Sequence, residues 1–392
     1  MRRFALLCVI TITILTASSC NEKEAGYLDG QIADLHLEAL PPVSHPADNP
    51  TSLAKIVLGK NLFWDPIIGG KNDVACVTCH HPDFGYGDGL DLPIGVNGTG
   101  LGPDRTENTG GLGLAISRVP RNAPSILNAA YNGLTSLGNY NAEEAVMFWD
   151  GRAKSLELQC QGPPTSEAEM RGDAYAEDDA LDSVIIRLAA TPNYVSLFNA
   201  AFGGGTSSIT IENYSKAISA FERTIVTDGS PYLRYLNGDR TALNVQEKRG
   251  LLLFFGKAEC GECHSGPMLS DFDFRALGVP ENPAHPEGVD AGLDDKFQFR
   301  TPTLHNVELT GPYMHNGMFS TLREVVEFEN KGVSQNPAVN ADILAHEFEP
   351  RGLSSSEMDD IVVFLKSLTD NNFDKGIPSN VPSGLPVGGN IQ

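Results

Sequence analysis

Apolar residues recur along this chain mostly at three- and four-residue intervals, the spacing of an amphipathic helix. Thr51 or Ser52 offers an N-cap. Leu53, Ile56, Val57, Lys60 and Phe63 follow at helical spacing until Pro66 ends the run. Further helices are predicted around Glu143 to Gln161, broken at Trp149-Asp150-Gly151-Arg152, and over Ala180 to Ala190, Pro192 to Phe202 and Ile211 to Val226. Tyr232 to Leu236 reads as one short helix stopped by Asn237-Gly238. The second half repeats the plan of the first. Asn244 offers an N-cap, and Leu251, Leu252, Phe254 and Phe255 make an apolar face. Ser354 and Glu357 form a capping box, followed by an apolar stripe from Ile361 to Leu368 that suits core packing. No long strand pattern appears, so the fold class is mostly α.

Loops are long between these helices. Residues 81–120 are loop-rich, and Gly95 to Gly113 hold seven Gly among nineteen positions. The chain divides near 237–243 into two similar halves, 51–240 and 241–375. Residues 20–50, with Pro41-Pro42 and Pro46, read as a tether. The Pro/Gly/Ser/Asn-rich stretch 376–392 reads as a disordered tail.

The length of 392 residues permits two domains with sizeable cores. A net charge of −22 argues against nucleic acid and suits a small basic partner protein. Met1-Arg2-Arg3 precedes an apolar run, Phe4 to Thr16, that is too short for an ordinary membrane span. Residues 1–19 therefore read as a signal peptide. Ala17-Ser18-Ser19-Cys20 resembles a bacterial lipobox, which would anchor the exported chain to the membrane by lipid on Cys20, facing the periplasm. An ordinary secretory cut near Ser19 would give export without the anchor.

Two short segments carry the chemistry. Cys76-Val77-Thr78-Cys79-His80 and Cys260-Gly261-Glu262-Cys263-His264 both read CxxCH, the attachment site of a c-type haem. Each thiol adds to one porphyrin vinyl group, and the adjacent His reaches the iron as axial ligand. A zinc site or redox CxxC pair is the competing reading. The copies lie far apart and each carries the same trailing His, which favours two covalent haems. The two halves are then cytochrome c-like domains. Cys8 leaves with the signal, and Cys160 remains as a small buried residue.

The stretches around these boxes resemble the bacterial di-haem cytochrome c peroxidase family, whose relatives include the MauG-type enzymes. The matching segments run in order: Leu58-Gly59-Lys60-Asn61-Leu62-Phe63-Trp64-Asp65, Arg121-Asn122-Ala123-Pro124-Ser125 and Phe148-Trp149-Asp150-Gly151-Arg152-Ala153. They continue with Gln159 through Glu169-Met170, Arg300-Thr301-Pro302-Thr303-Leu304 and Thr310-Gly311-Pro312-Tyr313-Met314-His315-Asn316-Gly317. The resemblance implies that the N-terminal haem, on His80, is the peroxide site and the C-terminal haem, on His264, collects electrons. It places Trp149 between the haems, makes Glu169 the catalytic acid and Gln159 its polar partner, and assigns calcium to Asn122, Thr310 and Pro312. Hydrogen peroxide is then the substrate, a small cytochrome c or copper protein the electron donor, and a homodimer the expected assembly.

Two positions depart from the family pattern. Many members carry a His after the Pro-Ile-Gly-like stretch that caps the resting N-terminal iron. Here Leu92-Pro93-Ile94-Gly95 is followed by Val96, which cannot ligate iron, and no His lies between His81 and His264. An open iron that needs no reductive activation is the expectation. The family's sixth ligand at the C-terminal haem is Met or Tyr. Counting fourteen residues from His315 reaches Glu329, with Met314 and Met318 as neighbouring alternatives. The sequence thus reads as a di-haem peroxidase. The alternatives are a MauG-like oxidase acting on a protein or small molecule and a non-enzymatic electron carrier.

Overall fold

The structure is a computed structural model that describes residues 22–108, 116–135, 139–141, 145–285 and 289–391. Residues 1–19, expected as a signal peptide, and Cys20 lie outside the described residues. The longer helices are α1 (22–33), α2 (Leu53–Trp64), α3 (Ala180–Ala189), α4 (Pro192–Phe202), α5 (Ile211–Glu222), α6 (Pro231–Leu236), α7 (Val245–Phe255), α8 (Leu322–Lys331) and α9 (Ser355–Lys366). Strand is confined, among the described residues, to two antiparallel two-residue ribbons, Gly98–Thr99 with Thr106–Glu107 and Phe274–Arg275 with Phe299–Arg300.

Local chemistry starts these helices where the sequence predicts. The Ser52 side chain accepts from the Lys55 N–H at the head of α2. Asn244 and Glu247 close a capping box on α7, and Ser354 and Glu357 close another on α9. Thr321 and Glu324 do the same for α8, a capping signal in the sequence that our reading overlooked.

Each half closes on one helix pair that crosses at a glycine. Gly59 of α2 lies against α5, where an added Cβ would fall 2.0 Å from the Ala217 carbonyl oxygen and 2.8 Å from the Phe221 Cβ. Gly250 of α7 lies against α9 in the same way, 2.0 Å from the Asp360 oxygen and 2.8 Å from the Phe364 Cβ. Only glycine permits backbones this close. The N-terminal core gathers Leu58, Leu62, Tyr214, Ala217 and Ile218 around the first pair. The C-terminal core gathers Leu251, Phe254, Ile361 and Phe364 around the second.

The structure corrects four expectations. The helix predicted around 143–161 is absent over 145–155, and only Leu156–Gln159 is helical, with a further turn at Gly162–Thr165. Phe148 and Gly151 adopt positive φ (63° and 67°), and the chain reverses so that Met147 N–H donates to the Ala153 carbonyl at 2.9 Å. Residues 231–236, assigned by sequence to the N-terminal half, instead contribute Tyr232, Leu233 and Tyr235 to the C-terminal core. Residues 22–40 are no free tether. Ile32 is buried in that same C-terminal core, Leu35 and Leu40 pack against it, and Asp29 pairs with Lys248 at 2.8 Å.

Residues 376–391 are likewise ordered. Val381 is buried in the N-terminal core with Val387 and Ile391 against it, and Gly388 N–H donates to the Trp64 carbonyl at 2.8 Å. Pattern alone reads such a Pro/Gly-rich stretch as disordered. Its few apolar residues find a groove already built by α2. The two ends of the chain therefore exchange halves: α1 serves the C-terminal core and 376–391 the N-terminal one.

Candidate active site

Each CxxCH segment forms one 3₁₀ turn, Cys76–Thr78 and Cys260–Glu262, directly after the leading helix of its half or close to it. The two box histidines are oriented alike. His80 Nδ1 sits 3.1 Å from the Tyr86 carbonyl oxygen, and His264 Nδ1 sits 2.9 Å from that of Leu269. Both acceptor residues hold positive φ, 57° and 48°, which turns their carbonyls onto the rings. Nδ1–H donation leaves Nε2 as the free ligating nitrogen. Burial lowers the pKa of both rings, favouring the neutral form that binds metal. His81 points elsewhere: it is buried edge-on to Trp64 and accepts from the Asp83 N–H at 3.2 Å.

Several carboxylates surround each box, among them Glu169 at the first and Glu329 at the second. Glu169 sits half-buried on a wide turn, Glu167–Arg171, in which Arg171 N–H reaches back five residues to the Ser166 carbonyl (2.9 Å). Single turns of this width inside helical segments recur at functional sites. Burial pushes the Cys76 and Cys79 thiols up; the nearby charges of Glu222 on Cys76 and Asp88 on Cys79 add to it, and that of Glu169 adds to both. Burial also raises Glu169 itself, only partly offset by Arg152 and a Ser166 hydrogen bond. The turn is held from the far side by Gly95, whose missing side chain leaves room for the Ala168 and Glu169 backbone. Gln159 ends the short helix ahead of this turn, and no hydrogen bond links its side chain to Glu169. Val96 packs against the same cluster as Met170.

At the second box, Cys260, Cys263 and His264 line a large, mainly apolar cavity that also takes in Glu329, Met314 and Arg300. Burial raises the Glu329 carboxyl to about 7, with Arg351 opposing. Its charge in turn raises Cys260 and Cys263, after burial. Arg300 is buried among these groups, and burial lowers it to about 10. It forms no ion pair with a carboxylate among the described residues. Its Nε donates to the Phe148 carbonyl at 3.2 Å. With only one side-chain hydrogen bond to protein, this buried guanidinium would be stabilised by an anion. A haem supplies propionates, so the residues present fit that group.

Trp149 stands on the seam between the halves. Its indole N–H donates to the Asn122 carbonyl at 2.9 Å, and its own carbonyl accepts from Arg300 N–H at 2.8 Å. The ring lines the second cavity beside Pro124, whose carbonyl also lies by the His80 ring. Arg121 reinforces the seam, 2.6 Å from both Asp150 and Asp290. Asn122, Thr310 and Pro312 all line the cavity. Asn122 spends its side-chain amide N–H groups on the Leu90 and Asp91 carbonyls (2.9 and 3.3 Å), which leaves its side-chain Oδ1 available to a cation.

Sequence reading missed Arg300 as a site residue, although it quoted the segment, because burial without a carboxylate partner is visible only in three dimensions. Comparisons with known proteins establish the family. A family model described as di-haem cytochrome c peroxidase matches residues 53–241. A cytochrome-c peroxidase, IdrP1, from Pseudomonas sp. (strain SCT) is 34% identical over 373 residues, covering 86% of this chain and 87% of its own. The methylamine utilization protein MauG of Methylorubrum extorquens is 33% identical over 335 residues, 83% of this chain and 81% of its own. A crystal structure of a MauG-like protein associated with microbial copper homeostasis superposes with a TM-score of 0.68 at 29% identity, over 85% of this chain and 94% of that one. Paired haem boxes, the Trp-bearing seam and relatives matched over most of both chains converge on one conclusion: the chain belongs to the di-haem cytochrome c peroxidase family of oxidoreductases, which takes in MauG.

Proposed function

We propose that this protein is an exported peroxidase that reduces hydrogen peroxide to water with electrons from a small cytochrome c or copper protein. The observation that carries the reading is Glu169, half-buried on its wide turn and facing the first haem box with a raised pKa. When bound, the haems supply redox-active iron and a conduit for electrons. The chain's own groups do the rest. Glu169 takes a proton from the near oxygen of peroxide and returns it to the departing oxygen. A raised pKa suits both halves of that task near neutral pH. Gln159 is the polar partner that orients water or peroxide. Trp149, pinned to both halves, fills the gap through which electrons cross.

The remaining roles follow the same reading. His80 and His264 would hold the two irons through Nε2, since Nδ1 of each is spent on a backbone carbonyl. Val96 leaves the chain without a sixth ligand on the peroxide side, so no reductive activation is required. Glu329 would be the second iron's further ligand, and a carboxylate there would favour the ferric state relative to Met. Asn122, Thr310 and Pro312 hold calcium through neutral oxygens. A lipid on Cys20 anchors the protein at the periplasmic membrane face, where it acts as a homodimer.

The test is turnover of hydrogen peroxide by the haem-loaded protein with a reduced cytochrome or copper donor. Glu169→Gln should lower it by about 10²–10⁴-fold, and unchanged turnover would remove Glu169 from the mechanism. A MauG-like oxidase is the second reading, favoured by Val96 and disfavoured by Glu329 at the Tyr position. It predicts slow donor turnover together with peroxide-driven modification of a protein or small molecule.

A further inference from the structure

The loop that covers Glu169 is fastened by residues distant in sequence. Arg105 is 4% exposed. Among the described residues it forms no ion pair with a carboxylate. All its partners are amide oxygens. Nε donates to the Ile94 carbonyl at 2.5 Å, Nη2 to Gly95 at 2.6 Å and Nη1 to Gly100 at 2.8 Å. Both terminal nitrogens also reach Asn390 Oδ1 at 3.1 Å, across 285 residues of sequence.

Asn390 is fixed in its turn. Its side-chain amide donates to the Gly98 carbonyl at 2.6 Å, its backbone N–H to Asp73 at 2.8 Å, and its carbonyl accepts from Gly100 N–H at 3.0 Å. The other end of this network touches the catalytic turn. Gly95, clamped by Arg105, lies so near that a Cβ would fall 2.1 Å from the Ala168 oxygen and 2.3 Å from the Glu169 oxygen. The line of contact therefore runs Asn390, Arg105, Gly95, Glu169.

We propose that Arg105 and Asn390 are positioning residues for Glu169, and that segment 376–391 is a working part of the peroxide site. This rests on the assignment of Glu169 as the proton-handling group. The physical basis is the guanidinium fork. Five donors in one plane can fix several carbonyls at once, which a lysine ammonium cannot reproduce. With the loop fixed, the Glu169 turn has one place to sit and water has little room to enter. Loosening the loop admits water and returns the carboxyl toward its ordinary pKa.

The experiment compares Asn390→Ala, Arg105→Lys and Glu169→Gln, singly and with Asn390→Ala combined with Glu169→Gln, in the haem-loaded full chain. The rate of reaction with hydrogen peroxide is followed by stopped flow across pH, with amide hydrogen exchange over residues 92–108 and 166–172. We expect Asn390→Ala to slow the reaction about tenfold, shift the acid limb to lower pH and raise exchange in both segments. Arg105→Lys should do more. In the Glu169→Gln background Asn390→Ala should add nothing. Raised exchange with an unchanged rate and pH profile would reduce the network to a structural role and overturn the proposal. An equal rate loss in both backgrounds would also overturn it while leaving Glu169 in place. Unchanged rate in Glu169→Gln alone would sink the underlying assignment, and the proposal with it.

Discussion

Replacing Gly95 with Ala should slow peroxide reduction about 10²-fold in a protein that still folds and binds both haems. The added methyl carbon would lie 2.1 Å from the Ala168 oxygen, 2.3 Å from the Glu169 oxygen and 2.8 Å from the Glu169 Cα. Ordinary contact begins near 3.4 Å, so loop and turn must part by the difference between 3.4 and 2.1 Å, about 1.3 Å. Neither side can yield cheaply, because the atoms met are backbone. Gly95 is not among the residues with positive φ, so the substitution changes contact and not conformational freedom. Misplacing a catalytic group by about 1 Å can lower a rate about 10²-fold. Overpacking of this kind typically destabilises by about 1–3 kcal/mol, a modest loss for a chain of this size. The assay is steady-state peroxide turnover, with haem content and thermal unfolding measured on the same samples. Gly26→Ala is the matched control, since its methyl meets nothing within 4 Å. Turnover within about twofold of the parent, at full haem content, would refute the claim that this contact places Glu169.

Other outcomes follow from the same geometry. Because burial raises Glu169, the acid limb of turnover should lie above the ordinary Glu range near pH 4.3, with activity lost as the carboxylate protonates; a pH–rate profile checks this. Glu329→Met should raise the potential of the iron held by His264, and an unchanged potential in a redox titration would exclude Glu329 as its ligand. Trp149→Phe keeps the apolar bulk but strands the Asn122 carbonyl, which should cost about 1–3 kcal/mol and slow electron delivery in single-turnover measurements. Gly250→Ala should destabilise the C-terminal half by the upper end of about 1–3 kcal/mol, read by thermal unfolding, because its methyl would meet the Asp360 oxygen at 2.0 Å.

Local signals were legible where local chemistry decides. Ser52, Asn244 and Ser354 each cap a helix because a side-chain oxygen finds an N–H two or three residues on. The haem boxes are legible for the same reason: five consecutive residues hold both thiols and a trailing His. Trp149 and Glu169 needed family resemblance, since a lone Trp or Glu has no spacing signature. The helix expected around 143–161 failed at Phe148 and Gly151, where left-handed backbone wins over periodicity. Arg105, Arg300 and Asn390 escaped altogether. Their meaning lies in what they do not pair with, or in partners hundreds of residues away.

The exchange of chain ends sets synthesis against assembly. Some 285 residues separate Arg105 from Asn390, so the N-terminal half cannot close until nearly the whole chain is in place. Were the chain to cross the membrane amino end first, as its proposed export implies, Cys76 and Cys79 would arrive in an unfinished half, open to a ligation apparatus, before residues 376–391 complete it. The order of attachment and closure would then be set by the order of arrival.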